Sequence, residues 1–197
     1  LPTAAARAKS TVFRNAFKDP VLPGANDNEV LILPSTSADI FTTVEQWFQG
    51  GKLKDEDDDL TQQQCKDLYE RLLRIWVFGH QNGIPTLQND AMDALVNTLV
   101  LRPLNHPVCG PRIFLDFIYQ QTPKGSALRK LMVELAAHAP NNGSPLIVKK
   151  SAYPKEFIVE LVEELLEYVE VLKGMVDWEK YPDLGPYWVP DAKEYHV

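Results

Sequence analysis

Cysteine is almost missing: Cys65 and Cys109 are the only two in 197 residues. Two thiols make neither a disulfide scaffold nor the four-ligand set of a structural zinc site, and their spacing reads as that of an intracellular chain, nuclear or cytoplasmic. Basic charge is also short. Against 27 Asp and Glu stand 20 Lys and Arg, for a net charge of −7 and an isoelectric point near 5.1. That balance argues against nucleic-acid binding by phosphate neutralisation. No apolar run approaches the roughly 20 residues of a bilayer-spanning helix, so no membrane partner is expected. A glycine-rich phosphate loop is missing, and Ser10, Ser37, Ser126 and Ser144 lack a Gly-x-Ser-x-Gly setting. The chain opens at Leu1 with no signal sequence before it, and its true start is expected upstream.

What is present is ordinary for a globular protein: 45% hydrophobic and 24% charged residues, in a chain long enough to bury a real core. "AAARAKSTVFRNAF" (4–17) groups Val12, Phe13, Ala16 and Phe17 on one helical face. "KDPVLPGANDN" (18–28) is a loop, and "EVLILP" (29–34) a short strand stopped by Pro34. Ser35-Thr36-Ser37 offers an N-cap to "ADIFTTVEQWFQ", a helix striped by Ile40, Phe41, Val44, Trp47 and Phe48 and ended by Gly50-Gly51. The acidic run "DEDDD" (55–59) lacks the glycine and terminal glutamate of a calcium loop and reads as a solvated face.

Helix dominates the rest. From Leu60, the residues Cys65, Leu68, Leu72, Ile75 and Trp76 recur at helical steps. Gly83 then stops that helix in a left-handed conformation, Pro85 starts the next, and Ile84 plugs the corner between them. Leu87, Ala91, Leu95 and Leu99 continue at four-residue spacing, so residues 76–95 are a tight helical hairpin. "PRIFLDFIYQQT" and "GSALRKLMVELAAHA" are two further amphipathic helices about Thr122-Pro123-Lys124-Gly125. After the linker-like "APNNGSP" (139–145), a helix spans Pro154 to Lys173 and is closed by Gly174. Phe157, Leu161, Leu165, Tyr168, Val169 and Leu172 form its apolar face, with Glu160, Glu163, Glu164, Glu167 and Glu170 outside. Burying those six side chains is worth roughly 10 kcal/mol, at about 1.5–3 kcal/mol each before entropy. The helix is therefore expected to dock, either on the layer formed by 111–138 or on the same helix of a second chain. Repulsion between acidic faces in close parallel packing favours the first, which leaves the acidic face for a basic partner. Trp178, Tyr181, Tyr187, Trp188 and Tyr195 lie in a proline-broken tail that must pack back on the domain or engage a partner.

The order of these elements resembles the BTB/POZ domain, in the version common in filamentous fungi. "STVFRNAF" resembles the family's Ser-Pro-x-Phe helix, and "FTTVEQWFQGGKL" its aromatic helix ending Tyr-Thr-Gly-Lys-Leu. "FGHQNGIPTLQNDAMDAL" resembles its most recognisable run, a short turn ending Ile-Pro before Leu-Gln-Asn and an apolar helix. "FIYQQTPKGSALRKLMVELAAHA" resembles the helices that follow the domain, and the likeness covers roughly residues 4–138. It implies a non-catalytic protein–protein interaction module, often dimeric, with some members adaptors for cullin ubiquitin ligases. Two features depart from the pattern. The family's opening β-hairpin, which its dimers use, is not found from Leu1 on: either those strands lie upstream or this chain has a reduced version, which weakens the expectation of a dimer. Its cullin adaptors carry an apolar-x-Glu triplet where this chain has "KDPVLPGANDN", with no glutamate before Glu29.

The expected fold is mainly α with a small β component. A BTB/POZ-like domain occupies 1–104 and a helical extension 105–197 packs on it. Phe13, Phe17, Trp47, Trp76, Gly83, Ile84, Pro85 and Leu87 carry the motif; Glu160, Glu163, Glu167, Trp178 and Trp188 are the candidate partner-binding residues. No cofactor or metal is expected, because His106 and Cys109 lack a second ligand pair and His80, near Asp90 and Asp93, reads better as a structural or exposed histidine. The reading is an adaptor, scaffold or oligomerisation module for an unnamed protein partner or a second copy. A cullin-ligase adaptor ranks below it, and an enzyme with an unrecognised site is the further alternative.

Overall fold

The computed structural model describes residues 9–10, 13, 36–53, 60–101, 112–138, 153–174 and 192–197. Phe17, the 18–28 loop, the strand at 29–34, the acidic run 55–59, His106, Cys109, Trp178 and Trp188 lie outside them. Among the described residues all regular structure is helical: α1 (Ala38–Gly50), α2 (Gln62–Gln81), α3 (Pro85–Leu101), α4 (Arg112–Gln121), α5 (Ala127–His138), α6 (Lys155–Gly174) and a 3-10 turn, Ala192–Tyr195. The expected mainly α character is observed there; the β component is not shown.

Local chemistry sets the ends of these helices. α1 stops at Gly51, whose φ of 74° is left-handed and whose N–H donates to the Trp47 carbonyl at 2.7 Å. Ser37 stands at its N-cap with extended backbone and makes no side-chain cap bond. α2 begins with a capping box: the Gln64 N–H donates to Thr61 Oγ1, and the Thr61 N–H donates to Gln64 Oε1.

α2 is the central element. One apolar stripe would give it a single buried side, yet Leu68, Tyr69, Leu72, Leu73, Ile75, Trp76, Val77 and Phe78 are all buried. The reason is that α2 is packed on several sides. α3 and α1 both pack against it, and α4 meets it where Tyr69 packs on Phe114 at 5.5 Å. The Tyr69 hydroxyl also reaches Met132 Sδ of α5 at 3.2 Å. Among the described residues, one cluster of buried side chains therefore draws on both 1–104 and 105–197. α6 packs on α4 and α5 through Phe157, 2% exposed, which meets Tyr119 edge-on at 5.8 Å.

Candidate interaction surfaces

The α2–α3 corner is built as its local residues dictate. Gly83 takes φ 58°, a conformation that costs a Cβ-bearing residue about 1 kcal/mol or more. Asn82, 8% exposed, turns its side-chain N–H onto the Phe78 carbonyl at 2.8 Å. The Ile84 N–H donates to the Gly79 carbonyl at 2.8 Å, and the Ile84 carbonyl accepts from Leu87 and Gln88 at 3.1 Å each. Ile84 and Leu87 are fully buried.

Three further side chains lock this corner. The Ser10 hydroxyl donates to the Asn82 carbonyl at 2.5 Å and accepts from the Phe13 N–H at 3.1 Å. Phe13, fully buried, sits between Phe48 at 6.1 Å and Phe78 at 6.4 Å. Trp47, 1% exposed, donates its indole N–H to Asp90 at 2.6 Å and lies under Lys9 Nζ at 4.0 Å. Trp76 is buried and stacks on the exposed His80 at 5.6 Å. The structure thus gathers Phe13, Trp47, Trp76, Gly83, Ile84, Pro85 and Leu87 about one corner. His80 meets Trp76 there, while Asp90 is taken by Trp47 and Asp93 by His196.

α6 carries a correction. Glu160 was expected outside with Glu163 and Glu167, but it turns inward. It accepts from the Tyr119 hydroxyl at 2.5 Å and lies 3.6 Å from the Arg129 guanidinium. Burying a carboxylate is costly unless it is hydrogen-bonded and paired, and Tyr119 and Arg129 supply one contact of each kind. Arg129, itself 7% exposed, also donates to the carbonyls of Tyr119 at 2.7 Å and Thr122 at 2.5 Å, and to Thr122 Oγ1 at 3.1 Å. It satisfies the carbonyls at the end of α4 that helical geometry leaves open. Glu163 and Glu167 are exposed as expected. Phe157 and Leu161 face the core, whereas Leu165 is 39% exposed and Val159, Val162 and Leu166 are 52%, 48% and 59% exposed. The open side of α6 is therefore apolar as well as acidic.

The last residues pack back. Tyr195, 1% exposed, donates its hydroxyl to Glu134 of α5. His196 lies 2.8 Å from Asp93, and the Val197 N–H donates to Asn89 at 2.8 Å. Burial first, and then the adjoining carboxylates, push the Tyr119 and Tyr195 phenols well above their ordinary range. Tyr69 is raised by burial alone.

Sequence reasoning missed Gly79, Ser10, Arg129 and Glu134. Arg129 had a signal: a cation in the first turn of α5 sits beside the carbonyl end of α4 in any tight helical hairpin. Glu134 had none, since its partner lies 61 residues away. Among the described residues no group of three or more His, Cys, Asp and Glu is placed to hold a metal, and no helix is long and apolar enough to cross a membrane. Against protein-family models, curated proteins and solved structures, the chain finds no match.

Proposed function

We propose that this chain is a non-catalytic, intracellular protein–protein interaction module of the BTB/POZ type, serving as an adaptor, scaffold or oligomerisation domain. One observation carries the reading. Of the five exposed large apolar side chains among the described residues, four (Val159, Val162, Leu165 and Leu166) lie within eight residues of α6. Single exposed apolar residues are common, but a cluster of them marks a contact surface. The hairpin at 76–95 supports the family assignment through its Gly83, Ile84 and Pro85 corner. The cullin-adaptor version ranks lower, because the 18–28 segment has no apolar-x-Glu triplet.

The test is reciprocal co-purification of the full chain from its source cells under mild conditions, joined to a mass measurement. A stoichiometric partner or a stable dimer is expected. A chain that stays alone at its monomer mass and cross-links to nothing sinks the proposal. A stoichiometric complex with a cullin N-terminal domain would turn it into the ligase-adaptor reading.

A further inference from the structure

The chemistry of the α6 surface narrows the kind of partner. Val159, Val162 and Leu166 follow one another at three- and four-residue steps, which places them in one row along the helix. Leu165 widens the row on one side. Glu156, Glu163 and Glu167, all exposed, are spaced seven and four residues apart and so run along its other edge. Lys155 is the one exposed base between 153 and 167. The surface is thus a seam of branched apolar side chains with a carboxylate rail beside it, on a helix anchored underneath by Phe157 and Glu160.

Resting on the interaction-module reading, we propose that this seam docks a basic amphipathic helix of a partner protein. Its apolar row would fill the spaces between Val159, Val162 and Leu166, and lysine or arginine on its flank would face Glu156, Glu163 and Glu167. Charge decides between this occupant and a second copy. In an antiparallel self-pair the glutamate rails approach one another, and in a parallel one each rail faces the partner's Leu165 edge, where the described residues offer it no base, in a chain already at −7. A basic helix turns the same rail into attraction and steers the encounter. A helix is favoured over an extended peptide because helical spacing matches knobs to holes along the row.

The experiment measures fluorescence anisotropy of a labelled synthetic helix of about five turns, with leucine at three- and four-residue steps and lysine on its flanks, titrated with the full chain. Saturable binding is expected. Leu166→Asp, at an exposed position, should leave the melting temperature unchanged and weaken binding by about tenfold or more. Glu163→Gln with Glu167→Gln should weaken it severalfold and flatten its salt dependence. A glutamate-flanked version of the peptide should bind far less. Absence of binding, or equal binding of the two peptides, overturns the proposal. So does a dimer that Leu166→Asp dissociates, which would make a second copy the occupant. Binding that appears only when Leu146, Ile147 and Val148 are changed to serine would make the chain's own segment the occupant, and also overturns it. If a partner co-purifies equally with wild type and Leu166→Asp, the module reading stands and this surface alone is discarded.

Discussion

At the scale of single residues, Gly79 carries a constraint that helix propensity hides. An alanine Cβ there would lie 2.9 Å from Gln88 Cγ and 3.3 Å from both the Gln88 nitrogen and the Ile84 carbonyl oxygen. Gly→Ala inside a helix normally gains about 1 kcal/mol, and overpacking costs about 1–3 kcal/mol. Here backbone atoms of α3 would have to give way, so the cost wins. Gly79→Ala should lower stability by about 1 kcal/mol net in urea denaturation; a gain would show that the hairpin opens freely. Arg129 gives the second case. Its planar fork serves two carbonyls and a hydroxyl and lies beside Glu160, which an ammonium cannot reproduce. Arg129→Lys should cost about 2 kcal/mol despite keeping the charge, and an unchanged denaturation midpoint would rule out the geometry described.

At the scale of elements, the hairpin and α6 show what sequence can and cannot reveal. Gly83 and Pro85 act through their own backbone preferences, so the α2–α3 corner was legible from a handful of neighbouring letters. α6 was legible as a helix but not in its rotation. Ile158, Val159, Leu161, Val162, Leu165 and Leu166 make its sequence apolar on most sides, so several stripes fit equally well. The true rotation is set by Tyr119 and Arg129, which draw Glu160 inward from positions some 30 to 40 residues earlier. Periodicity contains no trace of such a partner. The pairing of Leu161 with Leu165 as core positions changes accordingly. Leu161→Asp should still destabilise the fold, but Leu165→Asp should not. Phe157→Ala, by emptying the contact with Tyr119, should cost about 3 kcal/mol and raise amide exchange along α6 before the α2–α3 pair is affected. Uniform exchange across all six helices would mean that α6 is no separate layer.

At the scale of the whole molecule, three buried phenols set an alkaline limit. Tyr69, Tyr119 and Tyr195 titrate well above the ordinary value of 10.0 when folded. The neutral form is the one the fold holds, so their contribution is complete below pH about 10 and drains away as pH rises toward the folded values. The melting temperature should fall steeply above pH 10, and of the seven tyrosines in the chain these three should form phenolate only together with loss of helical circular dichroism. Ionisation of these three well ahead of unfolding would mean that their hydroxyls are open to water. The Tyr195 contacts have a further consequence, in time rather than energy. Asp93 waits for His196 and Asn89 for Val197 across separations of 103 and 108 residues. At a synthesis rate of about 5–20 residues per second, the α2–α3 hairpin emerges several seconds before the tail that will lie on it. Helix pairs close in far less than that. The tail therefore meets a surface already formed, and Tyr195→Phe should speed unfolding while leaving the refolding rate almost untouched. On the ribosome, the unlatched intermediate is a species with a lifetime of its own, open to whatever binds the bare faces of α3 and α5 before Tyr195 arrives.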